Sequence, residues 1–255
     1  MKPKVKIAET RTPDGGNMAL HQHDQDFIIS INGQDLMLSR EHESERELAR
    51  LGCRHLAGCS SPRILVGGLG MGYTLRQALD MLGPNASVVV GELVDALIEW
   101  NRMFFGVLNG HPMVDDRVSL ERGDVLKIIS GAGLRADSRF DAILLDIDNG
   151  PAPLTDSGNR RIYGPEGIQA CRRALIESGC LAVWSAGPSK KFEQLLMRCG
   201  FHGGVSGFPH IREASRSPVL YMWHPNPKSV CRPGAVRLAL RRRKRKKQRE
   251  SEDSP

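Results

Sequence analysis

Four glycines within six residues, Gly67, Gly68, Gly70 and Gly72, and three widely spaced carboxylates, Glu92, Asp124 and Asp146, are the residues of this chain whose types and positions could do chemistry. Glycine allows positive φ and lets a ligand lie against bare backbone. The four follow the apolar run Ile64-Leu65-Val66 and precede a helical pattern that opens at Tyr73, with Leu75, Ala78, Leu79 and Leu82 on one face. A strand feeding a helix through such a loop is the nucleotide-binding start of a doubly wound α/β sheet. Glu92 stands twenty residues past Gly72, at the end of the run Ser87-Val88-Val89-Val90-Gly91. An acid there is placed to accept both hydroxyls of a ribose. Asp146 ends Phe140-Asp141-Ala142-Ile143-Leu144-Leu145, the clearest buried strand. A carboxylate in that place stands at the strand end where ligands of such sheets bind.

These residues need a sheet to bring them together, and the chain supplies the pattern of one. Phe27–Ile31 and Gln34–Leu38 flank Asn32-Gly33, the strongest short hairpin signal, so a small N-terminal β-hairpin is expected. Residues 1–25 are polar and carry the turn signal Pro13-Asp14-Gly15-Gly16. Ser39 can cap a helix whose stripe is Leu48, Leu51 and Leu56, with Glu41, Glu43 and Glu45 near its positive end as a solvated helix start. Strands are expected at Ile64–Val66, Ser87–Gly91, Val118–Glu121, Phe140–Leu145 and Cys180–Ser185, with helices over Leu93–Phe104, Gly164–Ser178 and Pro188–Cys199. Phe201–Ser206 and Val219–Trp223 would close the sheet as an antiparallel pair. Strands alternating with helices give a doubly wound, mostly parallel α/β sheet of the Rossmann type. Its divisions are 1–60 for the hairpin and first helix, 61–225 for the ligand-binding domain, and 226–255 for a basic tail. Glu92, Asp124 and Asp146 and the glycine loop all fall at strand carboxyl ends, where ligands of such sheets bind.

The spacing Gly68-x-Gly70-x-Gly72 resembles the loop of S-adenosylmethionine-dependent enzymes, whose ligand carries no pyrophosphate. From about Phe27 to about Ser185 the chain also resembles the spermidine synthase family, the polyamine aminopropyltransferases, and especially its short bacterial members. The likeness rests on the hairpin Asn32-Gly33, the segment Ser39–Glu45, the loop Gly67–Gly72, Gly91-Glu92, Gly123-Asp124 and Phe140–Asp146. Asp148-Asn149-Gly150-Pro151-Ala152 resembles a shortened form of that family's Asp-rich loop. The resemblance implies that Gly67, Gly68 and Gly70 cradle the co-substrate, that Glu92 holds its ribose and Asp124 the adenine amino group, and that Asp146 is the catalytic carboxylate. It places a gating loop at 147–163 and lets Asp148 bind a second amine of a polyamine. Tyr163 reads either as a residue closing over the site or as a core tyrosine. The implied co-substrate is decarboxylated S-adenosylmethionine or S-adenosylmethionine itself, the partner a small-molecule amine, and no metal is implied. Two positions depart from the family: Gly70 stands where its loop carries an Asp, and Glu45 where its helix carries a Tyr. The first departure keeps a methyltransferase on the same fold as the alternative, because a loop of small residues accepts a methionyl carboxylate that an Asp would repel.

Net charge is +7, and residues 237–255 hold nine Lys/Arg against three Asp/Glu, so the rest of the chain is close to neutral. A basic active site does not follow from the total. The run Arg241–Lys247 reads as a disordered, solubilising tail, with non-specific phosphate binding by a non-catalytic nucleic-acid-binding protein as the second alternative. No apolar run approaches the roughly 18 residues that span a bilayer, and the N-terminus lacks a signal-peptide core. Six cysteines show no zinc spacing, and His21-x-His23 has no further ligand at metal spacing. The expectation is a cytoplasmic transferase with reduced thiols, compatible with a homodimer.

Overall fold

A computed structural model of the protein describes residues 3–147, 149–151, 161–207 and 218–229. Its centre is a seven-stranded sheet. The strands are β5 (Arg63–Gly67), β6 (Ser87–Glu92), β7 (Val118–Arg122), β8 (Phe140–Leu145), β9 (Leu175–Ser185), β10 (His202–Gly207) and β11 (Val219–His224). The spatial order is β10-β11-β9-β8-β5-β6-β7. Pairings among β5–β9 are parallel, and β11 with β10 adds the antiparallel edge. The order reverses between β5 and β8, so the crevice for a ligand lies at their carboxyl ends.

Side chains of successive strand residues point to opposite faces, and both faces are covered here. Leu65, Val89, Ile143 and Leu145 pack on one side against α5 (Val125–Ala132), α6 (Pro165–Ala174) and α7 (Lys190–Arg198) through Ile129, Ile168 and Leu196. Ile64, Val66, Val88, Val90 and Leu144 pack on the other against α1 (Glu43–Gly52) and α2 (Tyr73–Met81) through Leu48, Leu75 and Leu79. This two-sided burial is why the central strands read as unbroken apolar runs. Cys53 and Cys171 are buried free thiols, and burial pushes both up to about 12, while Cys180 is fully buried in the sheet.

Several expectations are corrected. The N-terminal hairpin is half of a four-stranded antiparallel sheet, β1 (Val5–Arg11), β2 (Asn17–His23), β3 (Asp26–Ile31) and β4 (Gln34–Leu38). Asn32 and Gly33 both take positive φ, the conformation a two-residue hairpin turn of this kind needs. Ser39 does not cap α1, which starts at Glu43 without a side-chain cap. Its hydroxyl instead accepts from the Phe27 amide and donates to Asp26, tying β4 back to β3. The helix expected over 93–104 is α3 (Asp95–Trp100), a π-helical turn at Asn101–Phe105 and a last turn α4 (Gly106–Asn109). The helix expected over 164–178 stops at Ala174, and β9 begins at Leu175 with an irregularity before Cys180. Among the described residues no helix is long and apolar enough to cross a membrane.

Candidate active site

The glycine loop runs from β5 into α2 and is stitched to the strands on both sides. Gly68 donates its amide to Gly91 O at 2.9 Å, and Asp146 donates its amide to Gly67 O at 2.8 Å. Gly68 has φ of +90°, and a Cβ there would lie 2.2 Å from the Asp146 carbonyl oxygen, so both conformation and contact require glycine. Gly70, at φ of +51°, is roomier: a Cβ would meet the Met37 sulfur of β4 at 3.4 Å. The N-terminal sheet thus reaches the loop directly, with Met37 against the position where the resembled family carries an Asp.

Glu92, last residue of β6, is 6% exposed. Its Oε2 accepts from Leu69 N at 2.9 Å and its Oε1 from Val94 N at 2.8 Å. Asp124 follows β7 and caps α5, accepting from Leu126 N at 2.8 Å. Asp146 follows β8; its Oδ2 accepts from Thr74 Oγ1 at 2.6 Å. Glu92 at the end of β6 and Asp146 after β8 are thus bonded to the glycine loop and the helix it opens, while Asp124 stands two residues past β7 as the cap of α5. Asp148 lies outside the described residues, as do residues 152–160 of the expected gating loop.

Tyr163 is buried in the α5–α7 core, edge-on to Phe192, and its hydroxyl donates to the Ile147 carbonyl at 3.0 Å. Gly150 N donates to the same oxygen at 3.1 Å, and Ala186 N donates to Asn149 O, also at 3.1 Å. The first turn after Asp146 is thereby fixed to the end of β9 and to the core. Of the two readings of Tyr163, this geometry is that of a core residue whose polar end holds the loop.

Residues that the sequence did not single out complete the site. Asn101, in the π turn, donates its amide to Gly70 O and Leu97 O at 2.8 Å each, and Asn109 donates to Met71 O at 2.7 Å. Both are nearly fully buried. A π turn adds a residue to the helical repeat and re-aims the side chains beyond it. Two asparagines on an otherwise apolar helical pattern, beside Trp100 and Phe105, were the available signal: buried amides must find partners. Thr74, the second residue of α2, offered none. On the mouth side the His42 ring stacks on Tyr73 at 4.1 Å, and both donate to the Ser39 carbonyl. Burial pushes the Tyr73 hydroxyl up to about 12, so it remains a donor.

A groove of about 420 Å³ between α5 and α6 is lined by Asp124 and Glu166 together with Lys127, Arg161 and Arg173. Charges of both signs face it, so it selects neither. Among the described residues no group of three or more His, Cys, Asp or Glu is arranged to hold a metal ion.

Sheet order, glycine loop and the acid ending β6 define a Rossmann-like fold, in which ligands bind at the β5–β8 crossover. Within that class the fold is spermidine synthase-like. It matches the crystal structure of spermidine synthase from Thermotoga maritima with a TM-score of 0.63 and 17% identity, covering 86% of this chain and 72% of that one. A spermidine synthase in complex with the transition state analogue AdoDATO matches with the same score and coverage at 16% identity. A probable spermidine synthase from Corynebacterium glutamicum gives a TM-score of 0.59 at 17% identity, covering 88% of this chain and 81% of that one. No protein-family model matches the chain, and no curated protein matches it by sequence.

Proposed function

We propose that the protein is a spermidine synthase-like transferase that moves an aminopropyl group from decarboxylated S-adenosylmethionine to a polyamine or other small amine. The observation that carries the reading is the placing of Glu92, Asp124 and Asp146 at the carboxyl ends of β6, β7 and β8 around one glycine loop, in a fold shared with spermidine synthases. Glu92 would accept the ribose hydroxyls while keeping Leu69 in place. Asp124 would receive the adenine amino group. The acceptor reaches the site as an ammonium with an ordinary pKa near 10, so it must lose a proton before it attacks. Asp146 would hold the ammonium and take that proton directly or through a water. The amine lone pair then forms a bond to the carbon next to the sulfonium, the carbon–sulfur bond breaks, and the sulfur leaves as a neutral thioether. Asp148, as the second amine site, belongs to the same reading.

A second reading, methyl transfer from S-adenosylmethionine, is favoured by one observation: Gly70 brings no charge to the loop, and its neighbour is the Met37 thioether. Product analysis separates the two. Purified protein is offered each donor with putrescine and with spermidine. Methylthioadenosine as product supports aminopropyl transfer, whereas S-adenosylhomocysteine replaces it with methyl transfer. In Asp146→Asn, which keeps the shape and loses the basicity, turnover drops by roughly 10²-fold while donor affinity is retained. Full turnover in that variant removes Asp146 from the chemistry.

A further inference from the structure

We infer that Thr74 is the positioning residue of this site: its hydroxyl sets the Asp146 carboxylate for proton transfer. The inference rests on the reading of Asp146 just given. Thr74 is 2% exposed and donates from Oγ1 to Asp146 Oδ2 at 2.6 Å. A hydroxyl has a single proton, and at this length it is committed to the carboxylate as a charge-assisted bond. The Glu45 carbonyl of α1, 3.4 Å from the same oxygen, is too far to compete.

The choice of partner is built into the loop. A threonine in a helix ordinarily turns its hydroxyl back to the carbonyl three or four residues earlier. For Thr74 those are Met71 and Gly70, and each already accepts a buried asparagine amide, from Asn109 and Asn101 respectively. Thr74 is the second residue of α2, so those two carbonyls belong to the glycine loop ahead of the helix and not to a preceding helical turn, and the hydroxyl goes to Asp146 instead. The Asp146 main chain is fixed independently, through its amide on Gly67 O at 2.8 Å. Backbone and one carboxylate oxygen are thus held by two different elements, which fixes the plane in which the carboxylate meets an incoming amine. Thr74 also lies in the first turn of α2, whose positive end favours a charged carboxylate beside it. A hydrogen bond to the charged form keeps the base ionised at lower pH.

The test uses the full chain and two substitutions. Thr74→Val keeps the side-chain shape and removes the hydroxyl; Thr74→Ser keeps the hydroxyl and removes the methyl. Thr74→Val is expected to lower kcat roughly tenfold and to move the acid limb of the kcat profile to higher pH. Methylthioadenosine affinity should stay within about twofold, since a residue that orients the base does not hold the adenosyl group. Thr74→Ser should restore both kcat and the limb. Equal kcat and an unmoved limb in Thr74→Val overturn the inference, as does a loss in both variants that follows their melting temperatures. If the wild-type chain transfers no group to any amine, the functional reading fails, and Thr74 is then judged by the carbon-13 carboxyl titration of Asp146. A midpoint that rises in Thr74→Val and returns in Thr74→Ser supports the positioning role; an unchanged midpoint refutes it.

Discussion

Glu92 has a structural duty whether or not a nucleoside is bound, because its two oxygens satisfy the Leu69 and Val94 amides at the base of the crevice. Replacing it therefore has two consequences that must be separated. If Glu92 holds the ribose as proposed, Glu92→Ala costs on the order of 2–4 kcal/mol of affinity for methylthioadenosine. It also strands two amides, an effect that would show as a lower melting temperature without ligand. Calorimetric titration beside thermal melts measures both, and unchanged affinity in Glu92→Ala would remove the ribose role. Asp124 is a helix cap in the structure and, in the proposed function, the partner of the adenine as well. Such double duty is why an acid after a strand identifies a crevice in the sequence without identifying which bonds it makes.

At the scale of elements, the π turn at Asn101–Phe105 is the least expected and the most directly tied to the loop. Asn101→Ala leaves the Gly70 carbonyl without its side-chain amide donor, while Leu97 O keeps the Asn101 main-chain amide, a loss of about 1–3 kcal/mol of stability. Because Gly70 is part of the loop, donor KM should rise while kcat changes little. A kcat loss at constant KM would show that Asn101 acts on the chemistry instead. The elements that were legible in the sequence share one cause, a pattern set by local chemistry. Asn32-Gly33 declared its turn because few residues take positive φ twice running, and Ile64–Val66, Val88–Val90 and Ala142–Leu145 declared burial on both faces. What stayed hidden was set by partners far along the chain. β1 is mostly exposed and its sequence, Val-Lys-Ile-Ala-Glu-Thr-Arg, is charged; only pairing with β2 makes it a strand. The turn at Pro13–Gly16 was visible, but not the two strands it joins. α6 ends at Ala174 because Leu175 enters the sheet beside Phe140, and nothing local marks that. Thr74 and Asn101 likewise become site residues only when β8 and the loop come to them.

At the scale of the whole molecule, two imidazoles tie stability to pH. His55 Nε2 lies 3.0 Å from the Asp141 carbonyl, His224 Nδ1 lies 3.0 Å from the Gly179 carbonyl, and the rings meet edge to face at 5.9 Å. Burial, chiefly, holds both below their ordinary value of 6.5; the Asp141 contacts oppose this for His55, and the neighbouring imidazole adds to it for His224. The unfolded chain therefore binds these protons first. Stability is full above about 6.5 and falls as pH drops from there towards the lowered folded values. Melting temperature should fall between pH 7 and pH 5. In the double variant His55→Gln, His224→Asn, whose amides can reach the same carbonyls without titrating, that fall should be smaller. An identical slope would place the pH dependence elsewhere.

The two ends of the chain should behave oppositely on truncation. The N-terminal sheet lends Met18, Leu20, Phe27 and Ile29 to a core that also contains Met71 of the glycine loop, Tyr73, Leu97, Trp100 and Phe105. Removing residues 1–38 would strip the cover from those five side chains, at about 1.5–3 kcal/mol for each large apolar group returned to water. A domain is stable by only about 5–15 kcal/mol, so this truncation should not fold or should lose donor binding altogether. The segment 230–255 has a short apolar stretch, Ala235–Leu240, followed by the like-charged run Arg241–Lys247. Deleting 230–255 should leave melting temperature and methylthioadenosine affinity nearly unchanged. It should also abolish any salt-sensitive retention on nucleic acid, since the remaining chain is close to neutral. Melts, calorimetry and a salt-gradient binding assay on the two truncations decide the matter. A folded, donor-binding protein without residues 1–38 would show that the sheet is an appendage, and a destabilised one without 230–255 would show that the tail docks on the domain.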